Sequence, residues 1–170
     1  MTTRHQIVDA AAHFLFGKPL VVNVYRSILV EAMVAAALPD WDWCSADYAS
    51  YDFRRGDLRL EVKQSALRQT WLGQRLSKPS WDIAPRTGYW TAGSTWVSRP
   101  GRNADVYIFA LHDTVDETAD HREPDQWNFF VVAATNLPPV KRIGLAAVSR
   151  LAKPVLYAAL AKAIDGQCRK

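Results

Sequence analysis

The run ADVYIFAL, residues 104–111, limits the possible folds more than any other stretch. It is apolar on both faces and short, so it reads as a strand covered from two sides, near the centre of a sheet. A second run of the same kind, WNFFVVAAT at residues 127–135, follows an acidic segment. Two covered strands need a layer on each side. With 49% apolar residues in a chain of 170, there is enough material for one domain spanning residues 1–170.

Helical patterns flank these strands. Ile7, Ala10, Ala11, Phe14 and Leu15 recur at helical spacing, and Gly17-Lys18-Pro19 ends the run, giving a helix from about Thr3 to Phe16. Asn23 is placed to cap a second helix, VYRSILVEAMVAAAL, which stops before Pro39. That helix is apolar nearly all round, so burial is expected, and Glu31 is its one acid. A strand from about Ala49 to Arg54, a turn at Gly56 and a strand from about Leu58 to Gln64 follow. SALRQTWLGQRL reads as a short helix or ordered loop, and SWDIA as a brief strand. PRTGYWTAGSTWVSRPGRN reads as a long loop or hairpin. Pro154 opens a closing helix to Asp165, with Val155, Leu156, Ala159, Leu160, Ala163 and Ile164 inward. The order predicts an α/β fold with one mixed central sheet flanked by helices.

Charge is unevenly spread over a net +4. LHDTVDETADHREPDQW holds six of the 17 acids, and Arg122 is its one Lys or Arg, so it reads as a solvated surface loop with His112, Asp113 and His121 in it. From Arg54 to Arg102, ten Arg or Lys face Asp57, Glu61 and Asp82, among Trp71, Trp81, Tyr89, Trp90 and Trp96. Basic residues mixed with aromatics suit a phosphate-backbone surface with stacking platforms; the plainer reading is a basic surface over a Trp-rich core, with Trp81, Trp90, Trp96 and Trp127 packed inside. Cys44 and Cys168 show no zinc spacing, and no apolar run approaches the roughly 18 residues of a membrane span. A reduced, cytoplasmic protein without membrane contact is expected.

The remaining information lies in YDFRRGDLRLEVKQSA, residues 51–66. Leu58, Leu60 and Val62 alternate with Arg59, Glu61 and Lys63. Glu61 and Lys63 therefore share one face, about 6–7 Å apart along the strand. Asp52 stands across the turn, in reach of Glu61 for a suitable register. Hydrolysis of a phosphodiester needs neutralised charge on the phosphate and an activated water, and a cation held by carboxylates supplies both. Magnesium takes oxygen ligands and keeps several waters, so Asp52, Glu61 and the carbonyl of Val62 would suffice as metal ligands. Lys63 could sit over the attacking water or phosphate. Glu31, from a helix packed on this sheet, would add an acid near the metal-bound water. A half-exposed structural strand carries the same alternation, and Asp57 competes with Asp52 for the first acid.

Glu31, YDF, GDLRLEVKQSA and RQTW together resemble the PD-(D/E)xK, or restriction-endonuclease-like, nuclease superfamily. The resemblance runs from about Asn23 to Trp71, and RNADVYIFALH and DQWNFFVVAATNL resemble its further core strands. It implies an αβββαβ core and Mg²⁺- or Mn²⁺-dependent phosphodiester hydrolysis, with DNA as the expected substrate and a homodimer as the expected assembly. It implies Asp52 as first metal acid, Glu61 as second, Lys63 as catalytic lysine and Glu31 as helix acid. Gln64 takes the position that often holds a polar residue. Tyr51 stands where the pattern has Pro.

Arg68, Gln69 and Trp71 follow this stretch, and Arg75 and Lys78 come next; they would hold nucleic acid or form a solvated face. Two function classes lead at this stage, a metal-dependent nuclease and a nuclease-like module that binds nucleic acid or a protein without turnover; a structural subunit with Trp residues at a dimer interface is a third.

Overall fold

The computed structural model describes residues 2–44, 49–70, 75–91 and 95–169. Helix α1 (Arg4–Phe16) and helix α2 (Asn23–Ala37) lead into strands β1 (Asp42–Trp43), β2 (Phe53–Arg55) and β3 (Leu58–Ala66). Strands β4 (Ser80–Asp82), β5 (Arg86–Thr91) and β6 (Thr95–Gly101) precede the central strand β7 (Val106–His112). Then come β8 (Trp127–Ala133), β9 (Arg142–Gly144), α3 (Leu145–Leu151) and α4 (Leu160–Cys168). The fold is mixed α/β with four helices among the described residues.

Its core is a five-stranded sheet in the order β1-β2-β3-β7-β8. The β3 and β7 strands run parallel, from Leu60 opposite Val106 to Ala66 opposite His112; the other neighbours are antiparallel. Every residue of β7 is buried, as its unbroken apolar run requires. Period-two alternation sorts the sheet's side chains into two cores. Leu60, Val62, Val106, Ile108, Phe129 and Val131 pack under α2 and α4. Tyr107, Phe109, Leu111, Phe130 and Val132 pack on the other face against Trp81, Ile143 and Val148. That second layer is the two-stranded β4-β9 sheet with α3. The connection from β3 to β7 runs through β4 and the β5–β6 hairpin, with no α-helix among the described residues.

Local physics adjusts several expectations. A capping box formed by Thr3 and Gln6 starts α1, yet none of its residues is buried and Phe14 is 78% exposed. Val22, not Asn23, caps α2, without a side-chain bond. This helix buries one stripe, Arg26, Val30, Met33 and Val34, rather than its whole circumference. Before α4, Pro154 opens no helix: Val155 adds a bridge to β8, its N–H donating to the Phe129 carbonyl at 2.8 Å. Leu156 is exposed, while Leu160 and Ile164 face the core. No helix among the described residues is long and apolar enough to cross a membrane.

The acidic segment is not a uniformly solvated loop. His112 and His121 are fully buried, their rings 4.8 Å apart and both against Trp127. His112 Nε2 donates to Gln126 Oε1 at 2.9 Å. Asp120, also buried, accepts from the Leu20 N–H at 3.2 Å and from Arg122 at 2.6 Å. The His121 N–H closes the joint on the Leu20 carbonyl at 2.8 Å. The segment thereby locks onto the linker between α1 and α2.

Burial, with the neighbouring His112 and Arg26 adding to it, drives the affinity of His121 for a proton down to about 3; burial lowers His112 as well. An unfolded histidine protonates near pH 6.5, so between about pH 6.5 and 3 the unfolded chain binds more protons than the folded one. Stability is then expected to fall as pH drops through that window. Thermal melts of wild type and His121→Phe between pH 7 and 4 check this: the substituted protein should lose stability less steeply, by about 1 kcal/mol for each pH unit.

Candidate functional site: an acidic cleft at the open edge of β3

The short length of β2 creates the site. Its three residues pair only with Leu58, Arg59 and Leu60, so from Glu61 onward that edge of β3 has no β2 partner. Asp52, just before β2, continues the ladder by other means. Its N–H donates to the Leu60 carbonyl at 2.8 Å, and its Oδ2 accepts the Val62 N–H at 2.6 Å. A strand residue points its N–H and C=O to the same edge, so the Val62 carbonyl faces the side where Asp52 stands. Asp52 is thus at a bend flanking β2, not within a strand as expected, and Asp57 lies in the exposed turn.

Glu61 and Lys63 share a face of β3, and the Lys63 ammonium donates to Glu61 Oε1. Both side chains are largely covered, 16% and 23% exposed. Glu31 projects from α2 into the same region. Its partner is not an arginine: Trp43 Nε1 donates to Glu31 Oε2 at 3.0 Å. A cavity of about 350 Å³ is lined by Glu31, Asp52, Val62, Lys63, Gln64 and Asp82. Glu61 opens instead into a neighbouring void of about 20 Å³, which shares Lys63 and Asp82 with the first and adds Asn103 and Tyr107. That void has room for about one water.

These charges act on one another. Burial, then repulsion from Glu61, pushes the Asp52 carboxyl up to about 7, with Glu31 adding to it and the Val62 N–H opposing. Glu31 is raised too, by burial first, against the Trp43 bond and with Glu61 contributing. Burial, with help from Glu61, pushes Tyr107 up to about 12. The cleft therefore holds more negative charge than its lysine neutralises.

Among the described residues, no group of three or more His, Cys, Asp and Glu side chains is placed so that it could hold a metal ion. A magnesium-type ion asks for less, because it retains several waters. The oxygens that could serve one are these: Asp52 and Glu61 each have one carboxylate oxygen outside the bonds described, and the Val62 carbonyl faces the edge where Asp52 stands. Asp52, Glu61 and Val62 would be the holders, with Glu31 and Asp82 nearby.

The flanking residues divide. Gln64 lines the cleft, but its Oε1 accepts from Arg26, a buried guanidinium lowered to about 10 by desolvation. Gln69 is a correction: it is buried, its amide spent on Arg26 at 3.3 Å and on the Ala66 carbonyl at 3.2 Å, so it is closed to a ligand. These bonds brace α2 against β3. Arg68 is half-buried, Arg75 and Lys78 are exposed, and Trp71 lies outside the described residues. Trp81 and Trp127 are core residues as expected, but Trp90 and Trp96 are exposed. Sequence reasoning missed Asp82, whose arrival depends on the β4–β9 pairing, and Trp43, which holds Glu31.

Comparison with known proteins finds no matching family model, no matching curated protein and no matching solved structure.

The raised Asp52 carboxyl carries a cost with a definite sign. An unfolded aspartate loses its proton near 3.8, whereas the folded one keeps it to about 7. Between these values the folded state binds more protons, so its stability declines as pH rises through the window and stays reduced above it. Asp52→Asn should therefore melt a few degrees above wild type at pH 8 and close to it at pH 4, as measured by calorimetry.

Proposed function

We propose that this protein is a divalent-metal-dependent phosphodiesterase acting on nucleic acid, a nuclease of the PD-(D/E)xK type with DNA as its first expected substrate. One observation carries the reading: Glu31, Asp52 and Lys63 line one cavity at the open edge of β3, and Lys63 is paired there with Glu61, whose charge also acts on Asp52. The mixed sheet, with Asp52 and the Glu61–Lys63 pair on either side of an antiparallel turn, supports it. The β3–β7 connection through strands departs from an αβββαβ order.

A bound Mg²⁺ or Mn²⁺ would neutralise charge on the scissile phosphate and lower the proton affinity of a water. The chain's own residues do the rest. Asp52 is oriented by the Val62 N–H, which fixes one oxygen and leaves the other outside the described bonds. Lys63 lines both cavities and carries the cation that can meet a phosphate oxygen as charge develops there. Glu31, kept in place by Trp43 and raised in proton affinity, is positioned to take a proton from an attacking water. A homodimer would present two such clefts to two strands.

A second reading, binding without turnover, draws on the exposed aromatic residues of the basic β5–β6 hairpin. Cleavage assays separate the two. Plasmid and single-stranded DNA should be cut with Mg²⁺ or Mn²⁺ and left intact in EDTA. Glu61→Ala and Lys63→Ala, with unchanged circular dichroism, should each lose about 10²-fold or more in rate. Full cutting by both variants would remove the proposal.

A further inference from the structure

The β5–β6 hairpin builds a second concavity beside the cleft. Its volume is about 430 Å³, within the roughly 300–1,000 Å³ common for small-molecule sites. Glu61, Arg86, Gly88, Tyr89, Trp90 and Trp96 line it. Trp90 and Trp96 are cross-strand partners, their rings 5.3 Å apart and steeply inclined at 64°. In a chain that buries Trp41, Trp81 and Trp127, these two remain 43% and 45% exposed. Gly88 makes room for one of them: a Cβ there would lie 2.6 Å from the Trp96 ring and 2.2 Å from the Val97 carbonyl oxygen. Arg86, which lines it, is exposed, and its side chain makes no hydrogen bond or ion pair among the described residues, although its charge acts on Tyr107. Glu61 lines this concavity and the small void it shares with Lys63, so the two spaces meet at one carboxylate.

Two exposed indoles over a glycine, next to an uncommitted guanidinium and a candidate phosphate-cleaving centre, form a surface for a flat ring attached to an anion. Aromatic side chains accept any base face, and Arg contributes both charge and stacking. A base in an intact duplex has its faces covered by its neighbours, so only an unstacked base can enter. We propose that the Trp90–Trp96 concavity takes an unpaired nucleobase next to the scissile phosphate, which makes single-stranded or locally opened polynucleotide the favoured substrate. The inference rests on the nuclease reading for the word scissile, and its binding component stands without it.

The test reads binding in EDTA, so metal chemistry does not enter. An oligothymidylate of about ten nucleotides, the matching oligouridylate and a blunt duplex are titrated against tryptophan emission and anisotropy. Both single strands are expected to quench and bind, because each offers flat pyrimidine faces and phosphates; the duplex should bind about tenfold more weakly. Trp90→Ala and Trp96→Ala should each weaken single-strand binding about tenfold, with Trp→Phe at either position recovering most of it. Gly88→Ala should weaken it by displacing the Trp96 ring and the Val97 backbone beside it. Unchanged emission with either oligomer, duplex bound as tightly as single strand, or alanine variants binding like wild type would each overturn the proposal. The two readings fail separately. Binding that depends on the tryptophans, in a protein that cuts nothing with Mn²⁺, sinks the nuclease reading alone. Alanine variants that cut single strands at the wild-type rate sink the base pocket alone.

Discussion

The parallel pairing of β3 with β7 is the constraint on which everything else rests. It joins a strand buried on both faces to one that alternates, and fixes which face of β3 each side chain takes. Leu60 and Val62 go under α2 and α4, while Glu61 and Lys63 fall opposite Tyr107 and Phe109 on the other side. A shift of one residue would exchange these sets, burying two charges and exposing two aliphatic side chains. Because β7 cannot move without exposing its apolar faces, β3 cannot slide, and the Glu61–Lys63 pair is held by the core itself.

On this rigid strand the protein sets groups that do not stabilise it. Asp52 is half-buried beside Glu61 and Glu31, and burial first, then Glu61, raises its proton affinity. One N–H from Val62 and one ammonium from Lys63 offset part of it. A fold selected for stability alone would put an amide or a neutral residue at 52. Under the proposed function, a cation entering the cleft would offset these carboxylates, the usual trade between stability and activity at a site. Arg26 with Gln64 and Gln69, and Trp43 with Glu31, tie α2 and β1 to this cluster. Its geometry is therefore fixed from several elements at once.

Much of this was legible in the order of residues. The two apolar runs gave the strands β7 and β8, and the alternation of Leu58–Lys63 gave β3 and the facing of Glu61 and Lys63. What stayed hidden depends on contacts distant in sequence. Asp82 reaches the cleft because Trp81 pairs with Ile143, a match that no local pattern announces. The histidines of the acidic segment are buried because Trp127 and Leu20 receive them, although their neighbours in sequence are charged. Trp90 and Trp96 look like core residues by type, and only the hairpin's position outside the main sheet leaves them exposed. Gln69 looks like a surface amide and is claimed by Arg26 from the neighbouring helix.

The central claim is that a divalent ion docks between Asp52 and Glu61, within reach of Lys63. Crystals of the wild-type protein soaked in Mn²⁺, with data collected at a wavelength where manganese scatters anomalously, test it most directly. An anomalous peak at about 2.0–2.2 Å from oxygens of both carboxylates and of the Val62 carbonyl is the expected result. Soaked crystals with an intact Lys63–Glu61 ion pair and no peak in the cleft would contradict it.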